Sequence, residues 1–417
     1  MLHHLFRHTD VPRKYHLTFL HLYFDIGWFG VLSGSAVAFL NVYAARLGAT
    51  GLQIGLVAAA SAVVNLFIAM PSARWVEKRD INRAVFGSSV FYRLGYALWI
   101  PLPWLFDAQG QIWALIVLAF LMAIPLSPLG VGFNALFAEA VPVRFRALVA
   151  GNRNVVFSLA YIASSLASGY ILESLAFPSG YQVVFTIGFI GAAMSSFHLY
   201  FVRPLPDTAT ALPIPPEPVA SSRTDASATE TSPLRLDILR GPFRRVMILL
   251  FIFHFAHLMA SPLYPLFNVN VLHLNDDHIG IGTALFYLTV LIASLQLHRI
   301  VNRLGHKRVT GWGMIGMAFY PVLLALSQTV WQYYVVSLLG GFTWALAGGA
   351  YANYILEHIP PEDRPSHLAW YNIALNAAIL SSSFIGPAIG EWTGLVTALI
   401  ISGIARAVAG YLLLKWG

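Results

Sequence analysis

The chain has 417 residues, of which 58% are hydrophobic and only 10% are charged, and its mean hydropathy is +0.68. A soluble protein carries about 25% charged residues, so this composition excludes a soluble enzyme and indicates a membrane protein. The net charge of +7 comes from basic residues spread over many loops, which argues against a nucleic-acid partner because that would need them on one exposed domain.

Twelve apolar runs follow one another along the chain. They lie at 17–45, 51–72, 84–106, 112–138, 154–176, 181–202, 246–272, 279–298, 309–327, 331–356, 368–390 and 394–414. Each is long enough, at about 20 residues, to cross a hydrocarbon core of about 30 Å as a helix. Backbone in lipid must satisfy its own hydrogen bonds, so we predict an all-α membrane protein with twelve transmembrane helices. The N-terminal residues lack a signal-peptide core, and we expect helix 1 to be retained.

The basic residues lie almost entirely in alternate loops. Counted from the N-terminus, these loops hold 22 of the 25 Lys and Arg residues, and the other set of loops holds only Arg46. By the positive-inside rule both termini are expected in the cytoplasm, with the protein in the plasma (inner) membrane. Arg93 and Arg406 are the exceptions, since they lie inside apolar runs. Arg406 is expected to snorkel to an interface or to pair locally.

A polar segment separates the sixth run from the seventh. Residues 203–241 are rich in Pro, Ala, Ser and Thr without helical periodicity, which predicts a flexible cytoplasmic linker. This linker divides the chain into an N-terminal six-helix bundle at 1–202 and a C-terminal six-helix bundle at 242–417.

The two halves repeat at nearly constant offsets. An offset of 218 pairs Glu139 with Glu357, and each of these acids begins an E-x-x-P-x-x-x-R loop. The same offset pairs Asn154 with Asn372, whereas an offset of 225 pairs Ile54-Gly55 with Ile279-Gly280. Because six helices return the chain to its starting side, the repeat is parallel.

These features together resemble the major facilitator superfamily. The segment LGATGLQIGL at 47–56 is similar to the family's link between helices 1 and 2, and NRLGHKR at 302–308 resembles its basic D-R-x-G-R-[RK] loop. The stretch EKRDINR at 77–83 is a poorer copy of that loop. The resemblance implies two bundles that rock around a central site lined by helices 1, 4, 7 and 10, so that the site opens alternately to each side.

Helix 1 carries one acid, Asp25, deep within its apolar run. It stands about nine residues into the helix, or about 13 Å from the cytoplasmic edge. A charge at such depth costs about 2.5–3.5 kcal/mol on insertion scales, so Asp25 should face the protein interior or water. We predict that Asp25 couples transport to protons or another cation. The alternatives are structural pairing, above all with the buried Arg93, and direct contact with a cationic substrate.

Helix 7 is the counterpart of helix 1 and carries His254 and His257 at i, i+3. Histidine titrates near neutrality, so the pair could act as a proton relay or contact the substrate. Hydrogen bonding between helices is an equal alternative, and a metal site is the least favoured. A polar and aromatic cavity lining is predicted from further residues on helices 4, 10 and 11, namely Asn134, Trp344, Tyr351, Asn353 and Asn376.

Charged and polar residues at the cytoplasmic helix ends are predicted to form a gate. The resemblance implies that their ion pairs hold that side closed and break when it opens. They are Glu77, Lys78, Arg79, Glu139, Arg146, Asn302, Arg303, Glu357 and Arg364. The alternative is that the basic members only orient the chain in the membrane.

The expected function is secondary active transport of a small organic solute, driven by protons, and not an enzymatic reaction. No Walker A sequence and no H-E-x-x-H motif occurs, and no cofactor or metal is expected. The alternatives are a facilitative or cation-coupled importer and a transporter-derived sensor without transport. The direction of transport stays open. The expected partners are the substrate, protons or another coupling cation and the lipid bilayer, and we expect a monomer.

Overall fold

Twelve long helices make up most of the chain that the structure describes. The structure, a computed structural model, describes residues 11–204, 236–360 and 363–417, apart from the side chain of Pro365. The helices are α1 Arg13–Arg46, α2 Gly51–Glu77, α3 Ile81–Ala97, α4 Ala108–Ala140, α5 Val143–Ser174, α6 Ser179–Phe201, α7 Phe243–Asn270, α8 Asp276–Leu304, α9 His306–Ala325, α10 Val330–Glu357, α11 Arg364–Thr393 and α12 Leu395–Trp416. The all-α, twelve-helix architecture is confirmed. Ten of these helices could cross a membrane by length and composition, and α3 and α9 are shorter or less apolar.

The predicted linker falls mostly outside the described residues. Of the segment 203–241, residues 205–235 are not described, and a short 3-10 helix occupies Leu236–Leu239. The boundaries 1–202 and 242–417 therefore stay a prediction.

Helix ends extend beyond several of the apolar runs, because polar residues continue the helices. The largest difference is in α5, which begins at Val143, directly after Pro142, although its apolar run begins at 154. Proline is well tolerated at the start of a helix, where its missing N–H has no intrahelical partner to lose. Residues that look like a loop by hydropathy are thus the first turns of α5.

The two halves share one packing plan. In the first half α1 packs on α5 and α6, α4 packs on α2 and α3, and α3 packs on α6. In the second half α7 packs on α11 and α12, α10 packs on α8 and α9, and α9 packs on α12. Each contact of the first half recurs six helices later, which confirms the parallel repeat.

The halves meet along two flanks, where α5 packs on α8 and α2 packs on α11. A glycine stands at each flank, Gly280 on α8 and Gly55 on α2. A Cβ at Gly280 would overlap the carbonyl oxygen of Ser165, and a Cβ at Gly55 would overlap that of Ser383. These contacts are symmetric, since the two repeat offsets relate one glycine to the other and one serine to the other. Close backbone approach at small residues is a usual way for helices to associate in lipid.

Replacing the flank glycine should separate the halves. Gly280→Ala forces a side chain into backbone, and overpacking of this kind costs about 1–3 kcal/mol. Thermal unfolding of the purified protein in detergent should therefore begin at a lower temperature. The matched control is Gly151→Ala on α5, where a Cβ meets open space and the helix gains about 0.5–1 kcal/mol. Equal melting temperatures for the two variants would contradict the close approach.

Candidate functional site

A buried cluster of charges joins four helices of the first half. Asp25 on α1 is only 3% exposed. Both terminal nitrogens of Arg153 on α5 lie 3.2 Å from its Oδ2, and Nη2 of Arg93 on α3 lies 3.8 Å from its Oδ1. Ser195 on α6 donates a hydrogen bond of 2.6 Å to the same Oδ1. The ion pair expected between Asp25 and Arg93 is present, and Arg153 is the closer partner.

Neighbouring polar groups hold the two guanidinium groups in place. Arg153 donates to the carbonyl of Leu22 at 2.7 Å, and Arg93 donates to the hydroxyl of Ser196 at 2.9 Å. Ser89 donates to that same hydroxyl at 2.9 Å. Each of these partners is itself buried, so the geometry of the cluster is shared by α1, α3, α5 and α6.

A cavity of about 230 Å³ adjoins the cluster in the space between α1 and α4. Its charged lining consists of Asp25, Arg93 and Arg153, and most of the rest is apolar. The guanidinium carbon of Arg153 lies 4.9 Å from the ring centre of Phe133, and that of Arg93 lies 6.0 Å from the ring centre of Phe29. An aromatic face stabilises the positive charge of a guanidinium group that lies over it. The cavity therefore combines positive charge with flat apolar walls.

Sequence reasoning missed Arg153, because it was counted among the loop residues. It precedes the apolar run by one position, yet it lies ten residues after Val143 and about 15 Å along α5. With Arg153 inside the bundle, the alternate loops hold 21 of the 25 basic residues. The repeat could have identified Arg153, because this residue directly precedes Asn154, which is one of the paired positions of the two halves.

The second half makes the same contact with neutral groups. Nε2 of the buried His254 lies 2.8 Å from the hydroxyl of Tyr371, and the ring of Tyr351 lies edge-on to that of His254, with ring centres 5.6 Å apart. The offset of 218 relates Tyr371 to Arg153, and it also relates Tyr351 to Phe133. Tyr371 and Tyr351 are therefore the counterparts of Arg153 and Phe133. His254 corresponds to Asp25 by depth, since the two stand 11 and 12 residues after the first residue of α7 and α1.

His257 lies one turn further along α7 and stacks on Trp344, with ring centres 5.1 Å apart. Its Nδ1 is buried and has no hydrogen-bond partner among the described residues. Its carbonyl accepts a hydrogen bond of 2.7 Å from Arg406, which also binds the hydroxyl of Tyr264 at 2.7 Å. The idea that Arg406 snorkels is wrong, since this side chain is 1% exposed and satisfies carbonyls where α7 is interrupted before Pro262.

The remaining predicted cavity residues are less enclosed. Asn134 on α4 and Asn353 on α10 are exposed, and Trp344 is 37% exposed. Asn376 on α11 donates to the carbonyl of Asn372 at 2.8 Å, within its own helix. Their part in binding a substrate stays a prediction.

Four of the predicted gate residues, Arg79, Arg146, Asn302 and Glu357, contact residues of their own half. Glu357 lies 2.6 Å from Nδ1 of His306, and Arg146 donates to two carbonyls at the end of α4. Arg79 lies over the ring of Trp75, and Asn302 bonds His298 at 3.0 Å. Glu77, Lys78, Arg303 and Arg364 are exposed, and Glu139 is half-buried. These contacts do not test the gating role, which stays a prediction.

At the opposite end of the bundle from the chain termini, a polar latch joins the two halves. Arg46 at the end of α1 forms an ion pair of 2.9 Å with Asp276 at the start of α8 and donates to the carbonyl of Leu274 at 2.6 Å. Tyr181 on α6 donates to the other oxygen of Asp276 at 2.8 Å. Sequence reasoning noted Arg46 as an isolated basic residue but did not find its partner, which lies 230 residues away.

Comparison with known proteins gives matches to a family, to sequences and to structures. The family model described as Major Facilitator Superfamily matches residues 24–278 and 246–417. The cis,cis-muconate transport protein of Acinetobacter baylyi is 22% identical over 307 residues, 70% of each chain. Multidrug resistance protein 1 of Bacillus subtilis is 29% identical over 141 residues, 34% of this chain and 35% of that protein.

Solved structures resemble the whole chain at low sequence identity. A variant of the nucleoside transporter NupG has a TM-score of 0.71 at 14% identity, over 96% of this chain and 99% of that one. The xylose transporter XylE from E. coli, in a partially occluded inward open conformation, has a TM-score of 0.67 at 14% identity, with coverage of 96% and 99%. At this identity the likeness concerns the fold.

Removing the latch carboxylate should loosen the end that it closes. Asp276→Asn leaves Arg46 without its ion pair, and hydrogen bonds to charged groups contribute about 1.5–3 kcal/mol, so opening should become about tenfold more frequent or more. The chain has no cysteine, so Ala45→Cys, a buried position near the latch, provides a single label site. A polar maleimide should react faster when Asp276→Asn is added. Asp277→Asn is the matched control, and equal acceleration by both would contradict the latch.

Proposed function

The chain belongs to the major facilitator superfamily and is a secondary transporter, and we propose that it moves a small organic solute with protons as the driving ion. Relatives are named for the transport of cis,cis-muconate and for resistance to tetracycline, and structural neighbours transport nucleosides or xylose. These solutes are small and organic but chemically diverse. They support a small organic substrate, and the chemical class of the substrate has to be inferred from the residues of the site.

The proposed coupling residue is Asp25. The observation that carries this proposal is a buried carboxylate held by Arg153, Arg93 and Ser195 beside a cavity. A proton on Asp25 would remove the negative charge that these arginines share, and each ion pair would weaken. Because the partners belong to α3, α5 and α6, protonation would change how α1 packs in its bundle. A proton could thereby bias the bundle toward one orientation.

Alternating access is proposed to use the two flanks as the surfaces on which the halves rock. The latch of Arg46, Asp276 and Tyr181 then closes the end away from the termini. We propose that the termini face the cytoplasm, since 21 of the 25 basic residues belong, by sequence, to the alternate segments between apolar runs that include both termini. In that orientation the structure is closed to the outside, and the protein resides in the inner membrane.

The second half is proposed to contact the solute rather than to carry the proton. His254 is hydrogen-bonded to Tyr371 and lies against the ring of Tyr351, and no charged group of the described residues is among these contacts. These three side chains and the stacked pair of His257 and Trp344 offer hydroxyl, imidazole and ring surfaces. The gate residues at the cytoplasmic helix ends are proposed to pair across the halves when that side closes. We propose a monomer without a cofactor.

The coupling proposal is tested by transport into proteoliposomes with an imposed pH gradient. Wild-type protein should accumulate its solute from a screen that includes cis,cis-muconate, a nucleoside and xylose. Asp25→Asn should exchange solute across the membrane but lose accumulation, because it cannot release a proton. Asp25→Glu should recover part of the response, and Asp277→Asn should behave like the wild type.

Three outcomes would decide against parts of this proposal. Full accumulation by Asp25→Asn would remove Asp25 from the coupling. Accumulation driven by a sodium gradient alone would make another cation the driving ion. Solute binding without any transport would favour the sensor alternative.

A further inference from the structure

The buried cluster carries more positive than negative charge. Arg93 and Arg153 are both buried, and Asp25 is the acid that pairs with them among the described residues. The Nε of Arg93 is also buried without a hydrogen-bond partner in the described part of the chain. Unpaired charge is costly in a bundle interior. The cavity beside the cluster therefore suits an anion, which would balance the second arginine.

Asp25 occupies the face of Arg153 that an anionic solute would need. Both terminal nitrogens of Arg153 lie 3.2 Å from one carboxylate oxygen. A guanidinium fork is a good match for a carboxylate, and the pairing is charge-assisted. An ionised Asp25 and the carboxylate of a solute would then compete for the same two nitrogens.

We propose that the cavity between α1 and α4 binds an organic acid through its carboxylate, which replaces Asp25 on Arg153 as Asp25 takes up a proton. This inference rests on the proposed transport function and names its substrate class. The proton goes from water to a carboxylate oxygen of Asp25, and the acid's negative charge goes to Arg153. The net charge of the cluster stays the same, because one proton and one anion enter together.

The exchange links the proton to the solute. With Asp25 ionised, the arginine is occupied and the acid binds weakly. With Asp25 protonated, the arginine is free and the acid binds tightly. By reciprocity the bound acid makes protonation of Asp25 easier by the same factor. Symport of an acid with a proton follows from this one competition.

The other polar groups around Asp25 come from the elements that pack against it. They are Arg93 and Tyr92 from α3, Arg153 from α5, Ser195 and His198 from α6, and His21 from α1 itself, while α4 contributes the apolar Phe133. His21 and His198 bond each other, with their Nδ1 atoms 3.0 Å apart. These histidines could also titrate, so the experiment must separate them from Asp25.

The cavity favours a small acid with a flat apolar body. Its volume of about 230 Å³ is below the range of about 300–1,000 Å³ that is usual for drug-sized ligands. Phe29, Phe133 and Leu126 line it beside the charges. A carboxylate at Arg153 would place the remainder of the molecule against these side chains.

Binding can be tested without transport, by thermal unfolding of the purified full chain in detergent. The probes are benzoate and succinate, with the uncharged benzamide and succinamide as matched controls. The acids should raise the melting temperature and the amides should not. The apparent affinity for benzoate should increase as the pH falls from about 8 to about 6, by at most about tenfold per pH unit for one linked proton.

The variants assign this effect to the cluster. Arg153→Gln should abolish stabilisation by benzoate, and Arg153→Lys should keep a weaker effect, which would show that loss of the fork and not misfolding is the cause. Asp25→Asn should keep the effect of benzoate but lose its pH dependence. His198→Gln should retain both the stabilisation and the pH dependence of the wild type.

Several results would overturn the proposal. These are equal stabilisation by benzamide, no stabilisation of the wild type by either acid, and stabilisation by anionic lipid in place of the soluble acids. If the protein transports an uncharged solute with protons but binds neither benzoate nor succinate, the proposal of an anionic substrate is rejected. The coupling role of Asp25 is then retained. Acid binding that is linked to pH but leads to no transport would reject the transport proposal and keep the binding site.

Discussion

One carboxylate shared between two buried arginines is the constraint on which the first half depends. Charges inside a bundle in lipid need partners, and removing one partner leaves the others uncompensated. Asp25 meets this need through groups on α3, α5 and α6, so four helices are positioned by one set of contacts. Their packing therefore responds to the charge of a single side chain.

The two halves of the internal repeat share a backbone plan but differ in their buried polar groups. The backbone plan is the same, and the glycine flanks are symmetric, with Gly55 against Ser383 and Gly280 against Ser165. The polar centres are not, because His254 and Tyr371 stand where the first half has Asp25 and Arg153. One half is thus suited to respond to protons and anionic groups, and the other to form neutral hydrogen bonds.

Local patterns predicted most of the fold and only part of the site. Hydropathy found the twelve helices, and the depth of Asp25 and Arg93 in apolar runs identified them as buried charges. Arg153 was missed because hydropathy cannot tell the polar first turns of a helix from a loop. The pairing of Arg46 with Asp276 joins residues 230 positions apart, and no local pattern predicts such a contact. Tyr371 could have been identified from the sequence, since the offset of 218 places it at the position of the second half that is equivalent to Arg153.

The proposed transport cycle depends on an anion and a proton entering the cluster together. The most direct measurement is the number of protons taken up when benzoate binds to the purified protein in weakly buffered detergent near neutral pH. Proton uptake should approach about one proton for each benzoate bound by the wild type, and no uptake is expected for Asp25→Asn. Binding of benzoate to the wild type without proton uptake would contradict this joint entry.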